Sequence, residues 1–237
     1  GWRQLETNLL YLKFHSQPSN SLNCNMSNRQ TNQTCKTLRR QSTIHSSANL
    51  IFVQKKEKNV QVLILIIVNK GQLQQYKKLI PNGKKLGMKI TYIEQSKPRG
   101  LPDAFKLGEK FIGKDNVAMI LGDNFFYGQN LTSKLLECAE IKDGARIILH
   151  TVKNPELFGV AKVDKDNKIT TLKEKPKKYL SNQAITGLYF FDNKVIEYSK
   201  KLKPSRRGEL EIIDVLHKYK KNNKLSASFI GRGGRSE

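Results

Sequence analysis

Short apolar runs alternate with amphipathic stretches along the chain from about residue 60 onward. Residues 60–68 (VQVLILIIV) are mostly β-branched, and Asn-Lys-Gly follows them, a pattern typical of a strand that is buried on both faces. Residues 72–80 carry apolar side chains at helical spacing, and residues 116–121 (NVAMIL) form another apolar run. This alternation predicts right-handed crossovers and a doubly wound, mostly parallel α/β sheet.

The same periodicities predict the other elements. Residues 101–112 have helical spacing, and Pro102 and Asp103 fall in the first turn, where both residue types are favourable. We expect the later strands to add a mixed part to the sheet. Further strands are predicted at 88–95, 145–152, 158–163, 168–173 and 184–191, and further helices at 131–140 and 210–219.

The composition changes abruptly near residue 58. Before that point the chain is rich in Asn, Gln, Ser, Thr and Arg, contains no Asp, and has no Gly between Gly1 and Gly71. A segment with so little apolar periodicity does not bury enough surface to offset its ordering entropy. We therefore expect residues 1–58 to be an atypical, poorly ordered segment and residues 59–237 to form the folded domain.

The charge of the chain is strongly positive. Lys and Arg number 43 against 20 Asp and Glu, a formal net charge of +23 that attracts polyanions. This balance leaves a basic nucleic-acid-binding protein open as an alternative. The lysines are spread along the whole chain, however, and no zinc-finger, homeodomain or RNP pattern accompanies them, which argues against nucleic acid as the partner.

Cysteine usage and hydropathy indicate a cytoplasmic protein without a membrane anchor. Cys24, Cys35 and Cys138 are odd in number and lack CxxC spacing, so neither a disulfide framework nor a zinc site is predicted. The longest apolar run, residues 62–68, is far shorter than the roughly 20 residues of a membrane span. The polar start offers no apolar core of a signal peptide.

The residues that directly follow a buried strand are the first candidates for chemistry, because ligands of open α/β sheets bind beyond the carboxyl ends of the strands. Gly122-Asp123-Asn124 follows the run at 116–121. A carboxylate at this place suits a magnesium ion that bridges to substrate phosphates. Asp-Asn after a strand is also ordinary turn chemistry, so position alone leaves both interpretations open.

Several blocks of the sequence resemble one family in the same order. These blocks are QSKPRGLPDAF at 95–105, LGEKFIG at 107–113, LGDNFFYG at 121–128, FGV at 158–160, EKP at 174–176, AITGLYFFD at 184–192, LKPSRRGELEIIDV at 202–215 and FIGRG at 229–233. Together they resemble the glucose-1-phosphate thymidylyltransferases, which are sugar nucleotidyltransferases. The resemblance extends over about residues 59–233, and several blocks in register are more specific than one short motif.

The resemblance implies a fold, a reaction and an assembly. The fold would be a Rossmann-like nucleotidyltransferase fold, with a nucleotide side at 59–140 and a sugar-phosphate side at 141–237. The reaction would convert dTTP and glucose 1-phosphate to dTDP-glucose and pyrophosphate with Mg²⁺. The product would feed dTDP-rhamnose and other deoxysugars of bacterial polysaccharides. Members of the family are usually homotetramers.

The resemblance also assigns site residues by position. It implies nucleotide binding by Gln95, Gly100 and Leu101, a magnesium ligand at Asp123, sugar-phosphate binding by Gly159, Glu174, Lys175, Ile185 and Tyr189, and a catalytic, phosphate-contacting guanidinium at Arg207. Without the family, Glu174-Lys175 and Arg207 would equally suit a solvated surface.

Parts of the family pattern are not found in this sequence. The family has a Gly-x-Gly-Thr-Arg-Leu loop and a following lysine that cradle the triphosphate, whereas residues 2–70 contain no glycine. The family continues past Gly-Arg-Gly to a second magnesium aspartate, whereas residues 234–237 read GRSE. Pro102 and Asp103 differ from the usual residues beside the base, and Phe158 replaces a tyrosine. We therefore expect impaired catalysis, and a non-catalytic remnant that binds sugar nucleotides is the alternative.

The expected difference in order between the two parts of the chain is testable. Limited proteolysis followed by mass spectrometry should cleave residues 1 to about 55 before it cleaves residues 100–230, because ordering entropy is not offset in the first segment. Equal resistance of the two segments would contradict this prediction.

Overall fold

The computed structural model describes residues 50–55, 62–84, 87–127, 131–166 and 168–230, and for residues 50–55 the description is confined to the backbone. The strands are β1 (Leu50–Lys55), β2 (Val62–Asn69), β3 (Met88–Gln95), β4 (Val117–Leu121), β5 (Ala145–Thr151), β6 (Gly159–Val163), β7 (Ile169–Glu174), β8 (Gln183–Phe191) and β9 (Leu225–Phe229). The α-helices are α1 (Leu73–Leu79), α2 (Asp103–Leu107), α3 (Glu109–Ile112), α4 (Leu131–Ala139), α5 (Lys194–Lys200) and α6 (Ile212–Lys221).

The strands form one mixed sheet in the order β3-β2-β1-β4-β8-β5-β9, with β6 and β7 attached beside β8. β2 and β3 are parallel, as are β5 and β9, and the antiparallel neighbours β1 and β8 lie between them. It follows that β2, β3, β4, β5 and β9 all run in the same direction. The predicted α/β class is confirmed, and the sheet contains both parallel and antiparallel pairs.

Strand β1 lies inside the sheet, between β2 and β4, and runs antiparallel to both. Leu50 pairs with Ile67 of β2 and with Leu121 of β4, while Lys55 pairs with Val62. The start of β1 thus lies at the carboxyl ends of β2 and β4, and its end lies at the opposite edge. The sequence analysis assigned these residues to the poorly ordered segment, but they form a strand. Residues 1–49 and 56–58 of that segment lie outside the described residues.

The sheet has a hydrophobic core on each face. Alternate residues of β2 enter different cores, because Ile64 and Ile66 belong to one cluster while Leu65 and Ile67 belong to the other. Helices α2, α3, α5 and α6 cover one face, and α1 and α4 contribute to the other. All four of these β2 side chains are at most 3% exposed, as expected for the predicted strand buried on both faces.

Some elements differ from the sequence-based expectation. The helix predicted at 101–112 is divided at Gly108, whose φ of −84° and ψ of 4° end α2 and begin α3. Helix α5 and strand β9 were not predicted. Within the helices that the structure describes, none has the length and apolar character that a membrane crossing requires.

A buried carboxylate joins three elements next to β5. Asp192 is 4% exposed, and its Oδ2 accepts a hydrogen bond from the backbone N–H of Gly144 at 2.8 Å. Its Oδ1 accepts from the Tyr219 hydroxyl at 2.6 Å and from the backbone N–H of Lys194 at 3.1 Å. Burial, followed by this bond to Asp192, raises the pKa of Tyr219, so its hydroxyl remains a donor. Asp192 therefore ties β8 to the start of α5, to α6 and to the turn before β5.

Replacing Tyr219 by Phe should lower the free energy of unfolding by about 1.5–3 kcal/mol, because a buried hydrogen bond to a carboxylate is lost. Urea unfolding followed by circular dichroism measures the change. Tyr179→Phe is the matched control, since Tyr179 is 78% exposed and should change stability by less than about 0.5 kcal/mol. Equal effects of the two substitutions would contradict the assigned role of Asp192.

Candidate active-site cleft

One cleft of about 880 Å³ opens at the edge of the sheet where β3 and β4 end. Gln95 and Leu121, the last residues of these strands, both line it. Its other walls come from the end of β7, from β8 and from the loop that precedes α6. This is the edge at which an open α/β sheet is expected to bind its ligand.

On one side of the cleft, two loops meet at a glycine. Gln95 is 7% exposed, and its Nε2 donates to Asn69 Oδ1 at 2.8 Å, which fixes the amide against the end of β2. Gly100 has a φ of +99°, and a Cβ at this position would lie 2.1 Å from the carbonyl oxygen of Leu210. The Leu210 N–H donates to Arg99 O at 2.8 Å. Only glycine permits this backbone contact, which holds the loop before α6 over the end of β3.

Asp123 lies exposed just beyond β4 and is held by its neighbour. Asn124 Nδ2 donates to Asp123 Oδ1 at 2.8 Å, and Asn124 Oδ1 accepts from the Gly187 N–H at 3.0 Å. A Cβ at Gly187 would lie 2.6 Å from Asn124 Cγ, so a larger residue here would displace the Asn124 amide. Among the described residues there is no group of three or more His, Cys, Asp or Glu that could hold a metal. Asp123 is thus a single exposed carboxylate at the cleft, a type of oxygen ligand that hard cations use.

On the opposite side, Glu174 projects beside Gly159. The two residues pair across β6 and β7, and a Cβ at Gly159 would lie 2.9 Å from Glu174 Oε2. Burial and, after it, the charge of Glu211 raise the pKa of Glu174, while Arg207 and Lys175 oppose this rise. Glu174 is thus a partly desolvated carboxylate with basic neighbours.

The residue after Glu174 has an unusual backbone. Lys175 has a φ of +39°, which is uncommon for a residue with a Cβ, and its N–H donates to Phe158 O at 3.0 Å. Behind this turn, Ile185 and Tyr189 of β8 line the cleft. Tyr189 is 4% exposed, and burial, followed by the charge of Glu174, raises the pKa of its hydroxyl. Tyr189 therefore lines the cleft as an uncharged side chain.

Arg207 does not line the cleft and instead pairs with a residue that does. Its Nη2 lies 2.9 and 2.8 Å from the two carboxylate oxygens of Glu211, and its Nε lies 3.2 Å from Oε1. Glu211 lines the cleft, and Arg207 still acts electrostatically on Glu174. Arg207 is therefore held next to the cleft by an ion pair.

The structure brings most of the predicted site residues together. Nine of the ten line this one cleft: Gln95, Gly100, Leu101, Asp123, Gly159, Glu174, Lys175, Ile185 and Tyr189. Three further residues line the cleft without having been assigned a role from the sequence: Asn124, Gly187 and Glu211. Asn124 stood in the quoted motif beside Asp123, but its contact with Gly187 spans 63 residues and leaves no local signal. Glu211 follows Arg207 by four residues, a spacing that favours pairing within a helix, whereas these residues precede α6.

A sheet with helices on both faces and a polar cleft at its carboxyl edge defines an α/β protein whose candidate ligand site lies where this class of fold binds its ligands. The comparison with known families is more specific. The nucleotidyl transferase family matches residues 41–234, so the chain belongs to that family.

Curated relatives in this family share a name. A glucose-1-phosphate thymidylyltransferase of Neisseria meningitidis serogroup A is 44% identical over 170 residues, which are 72% of this chain and 59% of the relative. One from Mycobacterium tuberculosis is 39% identical over the same shares. The chain thus spans about 59% of the length of these curated relatives.

Solved structures agree in fold. A Bacillus anthracis glucose-1-phosphate thymidylyltransferase in complex with a sucrose superposes with a TM-score of 0.64 at 38% identity, covering 70% of this chain and 67% of that one. A UDP-glucose pyrophosphorylase complexed with UDP-glucose gives a TM-score of 0.59 at 20% identity and covers 70% of this chain and 72% of that one, which shows a shared fold.

Because of the backbone contact at Gly100, we expect the addition of one methyl group there to lower the stability of the fold strongly. Gly100→Ala should lower the free energy of unfolding by about 1–3 kcal/mol through strain at positive φ. Overpacking against Leu210 should add about 1–3 kcal/mol. Gly71→Ala is the matched control, because Gly71 has a φ of +85° and nothing within 4 Å of the added Cβ. Chemical denaturation compares the two, and an equal loss at both positions would contradict the steric part of the argument.

Proposed function

We propose that this chain carries the site of a glucose-1-phosphate thymidylyltransferase, which makes dTDP-glucose and pyrophosphate from dTTP and glucose 1-phosphate. One observation carries the proposal: a single cleft contains Gln95 and Gly100 on one wall, Glu174 and Lys175 on the other, and Asp123 between the ends of the strands. The names of the curated relatives support the same substrates.

The two walls have different tasks in this proposal. The amide of Gln95 retains hydrogen-bonding capacity for a pyrimidine edge after its bond to Asn69. On the other wall, the Glu174 carboxylate accepts bonds from sugar hydroxyls, and the Lys175 ammonium attracts phosphate. Any Cβ at position 159 would crowd the Glu174 carboxylate, so in this proposal Gly159 keeps that carboxylate accessible to the sugar.

The reaction is an in-line displacement. A phosphate oxygen of glucose 1-phosphate forms a bond to the α-phosphorus of dTTP, the bond from that phosphorus to the β-phosphate breaks, and pyrophosphate leaves. Such a step requires positioning and charge neutralisation rather than a protein nucleophile. Arg207 supplies a guanidinium to the phosphates in this proposal.

We propose Mg²⁺ as the cation of this site, with Asp123 as its protein ligand. Asp123 fits because it is exposed at the cleft and oriented by Asn124, and because Mg²⁺ commonly uses one or two carboxylates together with substrate phosphates. The bound ion would neutralise charge on the phosphate oxygens. The proposal also includes a homotetramer, a cytoplasmic location that the cysteine pattern favours, and supply of dTDP-rhamnose synthesis.

We further propose that catalysis by this chain is weak. Residues 2–70 contain no glycine, so they encode no loop that brings several N–H groups onto a triphosphate. In addition, β1 runs antiparallel to its neighbours, so its end at Lys55 lies at the edge of the sheet away from Asp123. Loss of one preorganised donor typically costs about 10²–10³ in rate. A non-catalytic protein that binds sugar nucleotides is therefore the second candidate.

Titration calorimetry with dTDP-glucose tests the proposed binding site. An assay of pyrophosphate release from dTTP and glucose 1-phosphate with Mg²⁺ tests the proposed weak catalysis. Glu174→Gln should weaken dTDP-glucose binding about 10- to 100-fold, because charge-assisted bonds to the sugar become neutral. Glu140→Gln, a charge-matched change at an exposed position, should leave binding unaltered. The kcat of the unsubstituted chain for pyrophosphate release should lie below about 1 s⁻¹.

Two outcomes would contradict the proposals separately. Unchanged binding by Glu174→Gln would remove the sugar assignment. A kcat of about 1–10³ s⁻¹ that Asp123→Asn abolishes would show that catalysis is not impaired.

A further inference from the structure

The ion pair between Arg207 and Glu211 uses the face of the guanidinium that could bind a phosphate. Nε and Nη2 of Arg207 both point to the carboxylate, with nitrogen to oxygen distances of 2.8–3.2 Å. Paired N–H groups on one side of a guanidinium are the groups that bind phosphate in a fork geometry. A carboxylate and a phosphate therefore compete for the same donors.

The loop itself does not depend on this ion pair. The Ser205 N–H donates to Glu209 O at 2.8 Å, and the Leu210 N–H donates to Arg99 O at 2.8 Å. The first bond lies within the loop and the second joins the loop to Arg99, and neither involves the side chains of the ion pair. The side chain of Arg207 is 52% exposed, so it is free to change partner while the loop stays in place.

Glu211 is less free to move than Arg207. Its side chain is 19% exposed, and its Oε1 also accepts a hydrogen bond from Ser205 Oγ at 2.8 Å. Its charge raises the pKa of Glu174, which lines the same cleft. The carboxylate therefore stays at the cleft when the guanidinium leaves, and its charge then lacks the compensation that Arg207 provided.

We propose that Glu211 is an internal counter-anion that competes with ligand phosphate for Arg207. Phosphate binding exchanges the carboxylate of Glu211 for a phosphate group on the guanidinium, and the exchange lowers phosphate affinity. Glu211 thereby sets how tightly the site holds phosphate-bearing ligands. This inference rests on the proposed function, which assigns Arg207 to the phosphates and names the ligand that carries them.

The test measures binding of inorganic phosphate and of glucose 1-phosphate by calorimetry. Glu211→Gln keeps the shape of the side chain and removes its charge, so it should tighten phosphate binding about three- to tenfold. Glu209→Gln is the matched control, because Glu209 lines the same cleft on the same loop but is two residues away. The gain from Glu209→Gln should be clearly smaller. Circular dichroism verifies that each variant is folded.

A double-mutant cycle separates competition from a general effect of charge. In the background of Arg207→Gln, the substitution Glu211→Gln should give less than half of its original gain on a logarithmic scale, because no guanidinium remains to be released. An additive result would overturn the inference, and so would unchanged or weaker phosphate binding by Glu211→Gln. An equal gain from Glu209→Gln, or no phosphate binding by any variant, would overturn it too. Binding of phosphate without binding of glucose 1-phosphate would overturn only the proposed function.

Discussion

The side chains of β2 alternate between two hydrophobic cores, and helices must therefore cover the sheet on both faces. Covering both faces leaves the edges of the sheet as the places where polar groups can gather without entering a core. At the carboxyl edge, the chain leaves the strands through polar segments such as residues 95–100 and 122–124. The cleft is thus a consequence of how the apolar surface is buried.

Three glycines then determine how closely the walls of this cleft approach one another. The backbone of the loop before α6 packs against Gly100, the amide of Asn124 packs against Gly187, and the carboxylate of Glu174 packs against Gly159. Each contact is closer than a Cβ would permit. The polar side chains of Asn124 and Glu174 therefore pack directly against glycine backbone. Their positions depend on where that backbone lies.

The sequence predicted the site best where a local pattern carried the information. Asp123 follows an apolar run, and the rule that ligands bind beyond strand ends was enough to single it out, whereas Gln95 was assigned by the family resemblance. β1 was missed because the short apolar run at 50–53 lies inside a polar segment. The contact between Asn124 and Gly187 could not be predicted, since it joins distant residues through geometry that no periodicity records. The pairing of Arg207 with Glu211 depends on a loop conformation that the spacing alone does not specify.

The direction of β1 also has a consequence for the route by which the chain folds. β1 pairs with β2, its neighbour in sequence, starting at Lys55 and Val62, so this ladder closes only a short loop. Its pairing with β4 joins residues that are far apart in sequence, and such contacts form late because their closure entropy is larger. We expect a hairpin of β1 and β2 to appear early, with the outer edge of β1 still unpaired. The pairing of β4 with that edge then joins this part of the sheet to the strands that follow in sequence.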